Sequence, residues 1–416
     1  MIPTRERRMT GAGLPLLLLI LVHGAYSAMA RANTFQPQPN VLSRSRQQAS
    51  GIVIYLTPEA WTQDVPGRNV SRAAGVFHKL VRAINDQLAD QNATGDQQPL
   101  LAGLGFSAAA WHRWGGHLGM PVGMTDFAGY AGPDGWPVME ATGGDLFIHS
   151  KSDRRDVLFT LATAFVQLLG GEAVVESIDT TMAWRNGLDG SNRDLTGYVD
   201  GVNNCPMGKT AEMGLISIEQ DPRHVNGSFA IAQRWLHDLA AFARLNVTAQ
   251  NDVFGRTKRT SKPLPYPPRS AHLVRVDQDA FGYFIVRQAI PWGDSPGRAG
   301  LFFIAYSSDA RRLEAMCISM VGQGTPVTPA GIPDAVMRFS VPETSNFWYL
   351  PSMQLLASLG NDDDDGPAAI ITHERLVRAA QLLSPATSLS SARHRRARDA
   401  SAWPGARSVS LPALGQ

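Results

Sequence analysis

The chain has 416 residues, 44% of them hydrophobic and 18% charged, a globular composition sufficient for one large or two medium domains. A formal net charge of +2 provides no global basic field for nucleic acid. The two cysteines, Cys205 and Cys317, exclude a disulfide scaffold and a cysteine-rich zinc or iron–sulfur site, and two free thiols are expected.

Residues 1–32 carry a basic start, "MIPTRERRMTGAG", a short apolar core, "LPLLLLILV", and small residues suited to cleavage near Ala30 or Ala32. That is the pattern of a secretory signal peptide, and the apolar run is short for a membrane span. A secreted or extracytoplasmic protein is therefore expected. Residues 33–49 read as a linker. Sequons begin at Asn69, Asn92, Asn226 and Asn246, and they become glycan acceptors where the host has the machinery and the sites are exposed.

From residue 50 the apolar pattern switches between strand and helix periods. "SGIVIYLT" reads as a buried strand and "VSRAAGVFHKLVRAINDQLAD" as a long helix. "LLAGLGFS" and "GDLFIHSKS" are strands, "DRRDVLFTLATAFVQLLG" a helix, and "AVVESIDTTMAW" a strand. The order is strand, helix, strand, strand, helix, strand. The second half echoes it with "GSFAIAQRWLHD", "LAAFARL", "AHLVRVD", "GYFIVRQAI", "GLFFIAYSS", the helical "DARRLEAMCISMVG" and the extended "SNFWYLPS". Two such units predict an α+β fold of two ferredoxin-like halves, antiparallel sheets with helices on one face, over residues 50–210 and 211–358. Residues 359–416 hold the like-charged "NDDDDGPAA", a short helical "THERLVRAAQLL" and a Ser/Ala/Arg/Pro-rich end, and read as a largely disordered tail.

The stretch "RDLTGYVDGVNN" joins the halves, where ligands often bind. Gly197 and Gly201 bracket Asp200. Locally this suits either an ordinary Asp-Gly turn or a carboxylate brought close to a ligand. His272 follows the proline-rich "SKPLPYPPRS" and is expected to open a strand, projecting from a sheet edge. One imidazole at a pocket wall suits the axial position of a haem iron. The other candidates, His78, His112, His117 and His237, read as ordinary helix or strand-end residues. Arg287, inside the apolar "YFIVRQAIPWG", needs a carboxylate or an anionic ligand. Arg256 in "FGRTKRT" is a surface cation or an anion clamp, and Asp334 in "IPDAVMRF" reads locally as an N-cap.

The ordered set of Gly197-x-x-Asp200-Gly201, Arg234-Trp235, "GRTK", His272-x-x-Arg275, "VRQ", "GLFFIAY" and "DAVMRF" resembles the dye-decolorizing peroxidase family, closest to its short bacterial-type branch, over roughly 50–358. The resemblance implies one haem b between or within the two units. It implies that His272 is the proximal iron ligand, with Asp334 hydrogen-bonded to its other ring nitrogen. It places Asp200 and Arg287 on the distal side as catalytic residues, Arg256 at a propionate and Phe303 over the distal face. The implied activity is reduction of hydrogen peroxide and oxidation of small organic donors through an oxoferryl intermediate. Hydrogen peroxide and such reductants are the expected partners, without nucleic acid and with a homo-oligomer left open. A non-catalytic haem-binding or haem-delivery protein on the same fold is the alternative. Two departures stand out. Ala289 replaces a small polar residue two positions after Arg287, and "DGVNNCP" replaces "DGTxNP", with Val202 for Thr and Cys205 inserted.

Overall fold

A computed structural model describes residues 35–43, 46–61, 68–91, 98–171, 174–186, 192–295 and 297–360. The signal, most of the tail and the sequon at Asn92 lie outside the described residues.

The first half contains strands β1 (Gln48–Leu56), β2 (Leu101–Phe106), β5 (Leu146–Ser152) and β6 (Val175–Trp184). The short pair β3 (Tyr130–Ala131) and β4 (Val138–Met139) lies between β2 and β5. Helix α1 (Phe77–Gln91) connects β1 to β2, and α2 (Arg155–Leu169) connects β5 to β6. The main strands pair antiparallel in the order β2-β5-β1-β6. The second half has β7 (Ser228–His237), β8 (Val286–Arg287), β9 (Ile290–Ser295), β10 (Arg298–Ser307) and β11 (Ser340–Leu350). They are ordered β11-β7-β10, with β8 and β9 end to end on the far edge of β10. Helix α3 (Val247–Phe254) precedes β8, and α4 (Ala310–Val321) connects β10 to β11. Each half is thus a βαββαβ unit with the antiparallel sheet order of a ferredoxin-like fold, as the sequence periodicity predicts.

The two sheets meet at both edges. Tyr349 of β11 pairs with Phe106 of β2, and Ala183 of β6 pairs with Trp292 of β9. These single-residue seams close the sheets into one ring, which covers edges that are otherwise open to association.

Burial explains the strand patterns. Every residue of β5 is buried, because β1 and β2 flank it and both its faces are covered. One core joins Ile52, Leu104, Ile148, Leu161 and Phe165 to Trp111 and Tyr349. Helix α4 begins at Asp309, whose side chain accepts from Arg311 N, and ends at Gly322 with φ of 83°.

Two expectations need correction. Residues 35–43 are not a linker. Gln38 and Asn40 are buried, and Gln38 hydrogen-bonds both backbone groups of Leu104 and the carbonyl of Pro351. "AHLVRVD" is not a strand, because His272–Arg275 form one helical turn, which Arg275 tethers to the Ser319 carbonyl. The local pattern favoured a strand, and this tertiary tether overrides it. At the third sequon, Asn226 donates through Nδ2, the atom a glycan would take, to Phe35 O. Cys205 and Cys317 form no disulfide, as expected, and both are buried.

Candidate active site

One apolar pocket takes its walls from the joining loop and the second half. Asp200, Arg256, His272, Arg287 and Phe303 all line it. Asp334 lies directly behind His272. The second unit, with the loop that precedes it, therefore holds the whole candidate site.

His272 stands at the start of its helical turn. Its Nδ1 is 2.7 Å from Asp334 Oδ2. Asp334 also accepts from Val336 N through Oδ1, so it is the N-cap expected from sequence and the imidazole's partner as well. Its side chain is 0% exposed, whereas that of His272 is 28% exposed, so the ring keeps one open face. Among the described residues, His272 Nε2 has no partner. Phe254 packs edge-on against the ring.

Asp200 accepts from Arg287 Nη2 at 3.1 Å and from Gly201 N at 2.7 Å. Burial raises the pKa of its carboxyl, and the Arg287 charge only partly opposes this. The bracketing glycines have different reasons. Both adopt positive φ, but a Cβ on Gly197 would also lie 2.6 Å from Lys258 Cε, whereas one on Gly201 would meet open space.

Arg287 sits where β8 ends and the chain steps toward β9, and the altered loop holds it there. Asn204 Oδ1 accepts from Arg287 N at 3.0 Å, and Asn204 Nδ2 donates to Arg287 O at 2.7 Å. Arg287 Nη1 donates to Asn203 O. Its Nε is buried without a hydrogen-bond partner. The guanidinium lies 6.0 Å from the centre of the Phe303 ring. Arg256 donates to Ser261 O, and burial together with the Arg287 charge lowers its pKa.

Sequence reasoning missed two groups. One is the Asn203–Asn204 clamp. The other is a buried chain in which His237 Nε2 meets Asp194 Oδ1 at 3.0 Å and His237 Nδ1 meets Ser340 Oγ at 2.7 Å. Burial opposes ionisation of Asp194, but His237 and Thr196 pull its pKa below the usual value. No local pattern signals these partners, which are 43 and 103 residues apart. Arg234 points elsewhere and pairs with Asp179 and Glu343. Ala289 does not face this pocket but lines a neighbouring cavity.

The residues fit a haem. There is an imidazole with one nitrogen fixed and the other open. Two guanidiniums suit carboxylate side groups. Leu313, Met316, Cys317 and Met320, an i, i+3, i+4, i+7 stripe of α4, form an apolar wall.

Residues 41–179 match the family description "Dyp-type peroxidase, N-terminal", and residues 191–355 match "Dyp-type peroxidase, C-terminal". The chain belongs to the Dyp-type peroxidase family. A dye-decolorizing peroxidase of Mycolicibacterium paratuberculosis is 30% identical over 347 residues, covering 80% of this chain and 88% of that protein. The dye-decolorizing peroxidase structure from Bacteroides thetaiotaomicron has a TM-score of 0.68 at 27% identity, over 79% of this chain and 99% of that one. A variant of DypB from Rhodococcus jostii, solved in complex with heme, has a TM-score of 0.66 at 26% identity, over 77% and 98% of the two chains. As a Dyp-type peroxidase, the chain is a haem-dependent enzyme that acts on hydrogen peroxide.

Proposed function

We propose that this chain is a secreted peroxidase that binds haem b, reduces hydrogen peroxide and oxidises small organic donors, with its site residues in defined roles. The observation that carries the assignment of roles is that His272, backed by Asp334, and the Asp200–Arg287 pair line one apolar pocket.

His272 would hold the iron through Nε2, with Asp334 orienting the ring and increasing its donor strength through Nδ1. Arg256 would neutralise a propionate, and Phe303 would pack over the distal face. When bound, the haem supplies the redox chemistry, accepting oxidising equivalents from peroxide and passing them on to donors one at a time. Asp200 would accept a proton from one peroxide oxygen and return it to the other, which leaves as water. Arg287 would donate to the oxygen on which negative charge develops. Phe303 and the apolar stripe would exclude bulk water and strengthen these interactions.

Support for export comes from the basic, apolar and small-residue order of residues 1–32. Two measurements test the proposal. A visible spectrum of haem-supplemented protein should show a Soret band, and peroxide should be turned over with an organic donor. N-terminal sequencing of exported material should begin near Arg31 or Asn33, whereas material retaining Met1 contradicts cleavage.

A further inference from the structure

The loop that carries Asp200 is a small hairpin. Arg193 bridges Val199 antiparallel, Asp194 N donates to Tyr198 O at 2.8 Å, and Asp200 N donates to Asn192 O at 2.9 Å. At the tip Gly197 N donates to Asp194 O at 2.8 Å, closing a four-residue turn. Arg193 Nη1 donates to Gly197 O at 2.9 Å and to Lys258 O at 3.2 Å, which ties the turn to the chain after α3. Asp194 and Asp200 therefore share one hairpin, and both line the apolar pocket.

Asp194 does more than close that turn. Its Oδ2 accepts from Thr196 N at 2.9 Å and from Thr196 Oγ1, the local pattern of an Asp-led turn. Its Oδ1 meets His237 Nε2 at 3.0 Å, a partner 43 residues away at the end of β7. Asp194 is ionised in spite of its burial, because the His237 and Thr196 donors outweigh the desolvation. A carboxylate only accepts, so His237 Nε2 carries a proton, and Ser340 Oγ, 2.7 Å from Nδ1, completes the line. His237 and Ser340 are paired across β7 and β11, so two strands hold the imidazole. Asp194 and His237 are only 7% and 8% exposed, and a carboxylate so buried needs donors of this kind. The influence of this group reaches Asp200. Burial is the main cause that raises the Asp200 pKa, Arg287 from β8 opposes it, and the Asp194 charge reinforces it, with Gly201 N and His272 acting the other way.

We infer that Asp194, held by His237, is a positioning residue for peroxide activation. It pins the hairpin to β7 so that Asp200 stays against Arg287, and it presents a fixed negative charge on the same pocket wall. This role presupposes that Asp200 moves the peroxide proton, as proposed above.

The test uses haem-loaded, full-length Asp194→Asn, His237→Gln and His237→Ala, with Asp200→Ala as reference. Stopped-flow mixing with peroxide across pH gives the rate. Infrared difference spectra across pH follow the Asp200 carboxyl band, identified by its loss in Asp200→Ala. Asp194→Asn should slow the reaction by about tenfold or more, as for a misplaced catalytic group. It should also move the Asp200 band and the matching limb of the rate profile to lower pH, because a fixed negative charge is gone. His237→Ala should slow the reaction similarly, whereas His237→Gln, which keeps an N–H donor for Asp194, should recover most of the rate. An Asp194→Asn variant that is slow with an unmoved Asp200 band has lost only a structural turn, and that result overturns the assignment, as does an unchanged rate. His237→Gln no faster than His237→Ala also overturns it, and this comparison holds even where Asp194→Asn does not fold. Asp200→Ala at wild-type speed instead overturns the proton-transfer role of Asp200, and this inference with it.

Discussion

Asn204 holds Arg287 by both backbone groups. Its amide accepts from Arg287 N at 3.0 Å and donates to Arg287 O at 2.7 Å. Beyond Val286–Arg287 the edge of β10 passes to β9, so a side chain supplies the pairing that a neighbouring strand supplies elsewhere. The altered "DGVNNCP" loop is thus a clamp on the arginine rather than a loss of structure.

Removing the clamp should therefore cost rate and spare the cofactor. Asn204→Ala is expected to slow the reaction with peroxide by about tenfold to a hundredfold, because small misplacements of a catalytic group have effects of that order. Haem content should stay at the wild-type level. Stopped-flow mixing with peroxide, beside a pyridine haemochrome assay, checks both halves of this expectation.

Arg287→Ala should slow the same step by roughly 10²–10³, the typical cost of losing a charge-stabilising donor. Asp200→Ala should cost about 10²–10⁴, the usual worth of a positioned acid–base group. The double variant should lose much less than the product of the two, because both side chains serve one transition state. A fully multiplicative double variant would separate their roles.

Asp200 also predicts a pH effect on stability. Burial raises its folded pKa, so the folded state favours the protonated acid. The contribution is therefore fully present below the unfolded value and is lost as pH rises through the folded pKa. Asp200→Asn should stabilise the fold at neutral pH, with the gain shrinking as pH falls toward about 4 and below. Thermal melts of haem-matched proteins across this range provide the comparison.

Asp334→Asn should retain haem but raise the Fe(III)/Fe(II) potential, since a neutral partner leaves the imidazole a weaker donor. Activity should fall by about 10–100-fold. The asparagine can still accept from Val336 N, so the turn after Pro333 should survive. Spectroelectrochemical titration reads the potential. An unchanged value in a haem-replete variant would confine Asp334 to its capping role.

Much of this architecture was legible locally. Periodicity alone separated α1 and α2, each 15 residues at helical spacing, from β1, β2, β5 and β6, which are shorter apolar runs of 6 to 10 residues. His272, Asp334, Arg256 and Arg287 stood out as a set, and the structure brings them to one pocket or directly behind it. The helical turn at His272 was not legible, because it depends on Arg275 reaching Ser319, 44 residues away. Nor were the ring closure through Tyr349 and Phe106 or the His237–Asp194–Ser340 chain, since both rest on pairings that local propensity does not encode.

The central claim is that His272 carries the iron. It is tested most directly by the visible spectrum and haem content of His272→Ala, with and without added imidazole. The account predicts loss of stable haem or a shifted Soret band, with imidazole restoring a spectrum close to wild type. Full haem loading at the wild-type Soret position without imidazole would contradict it.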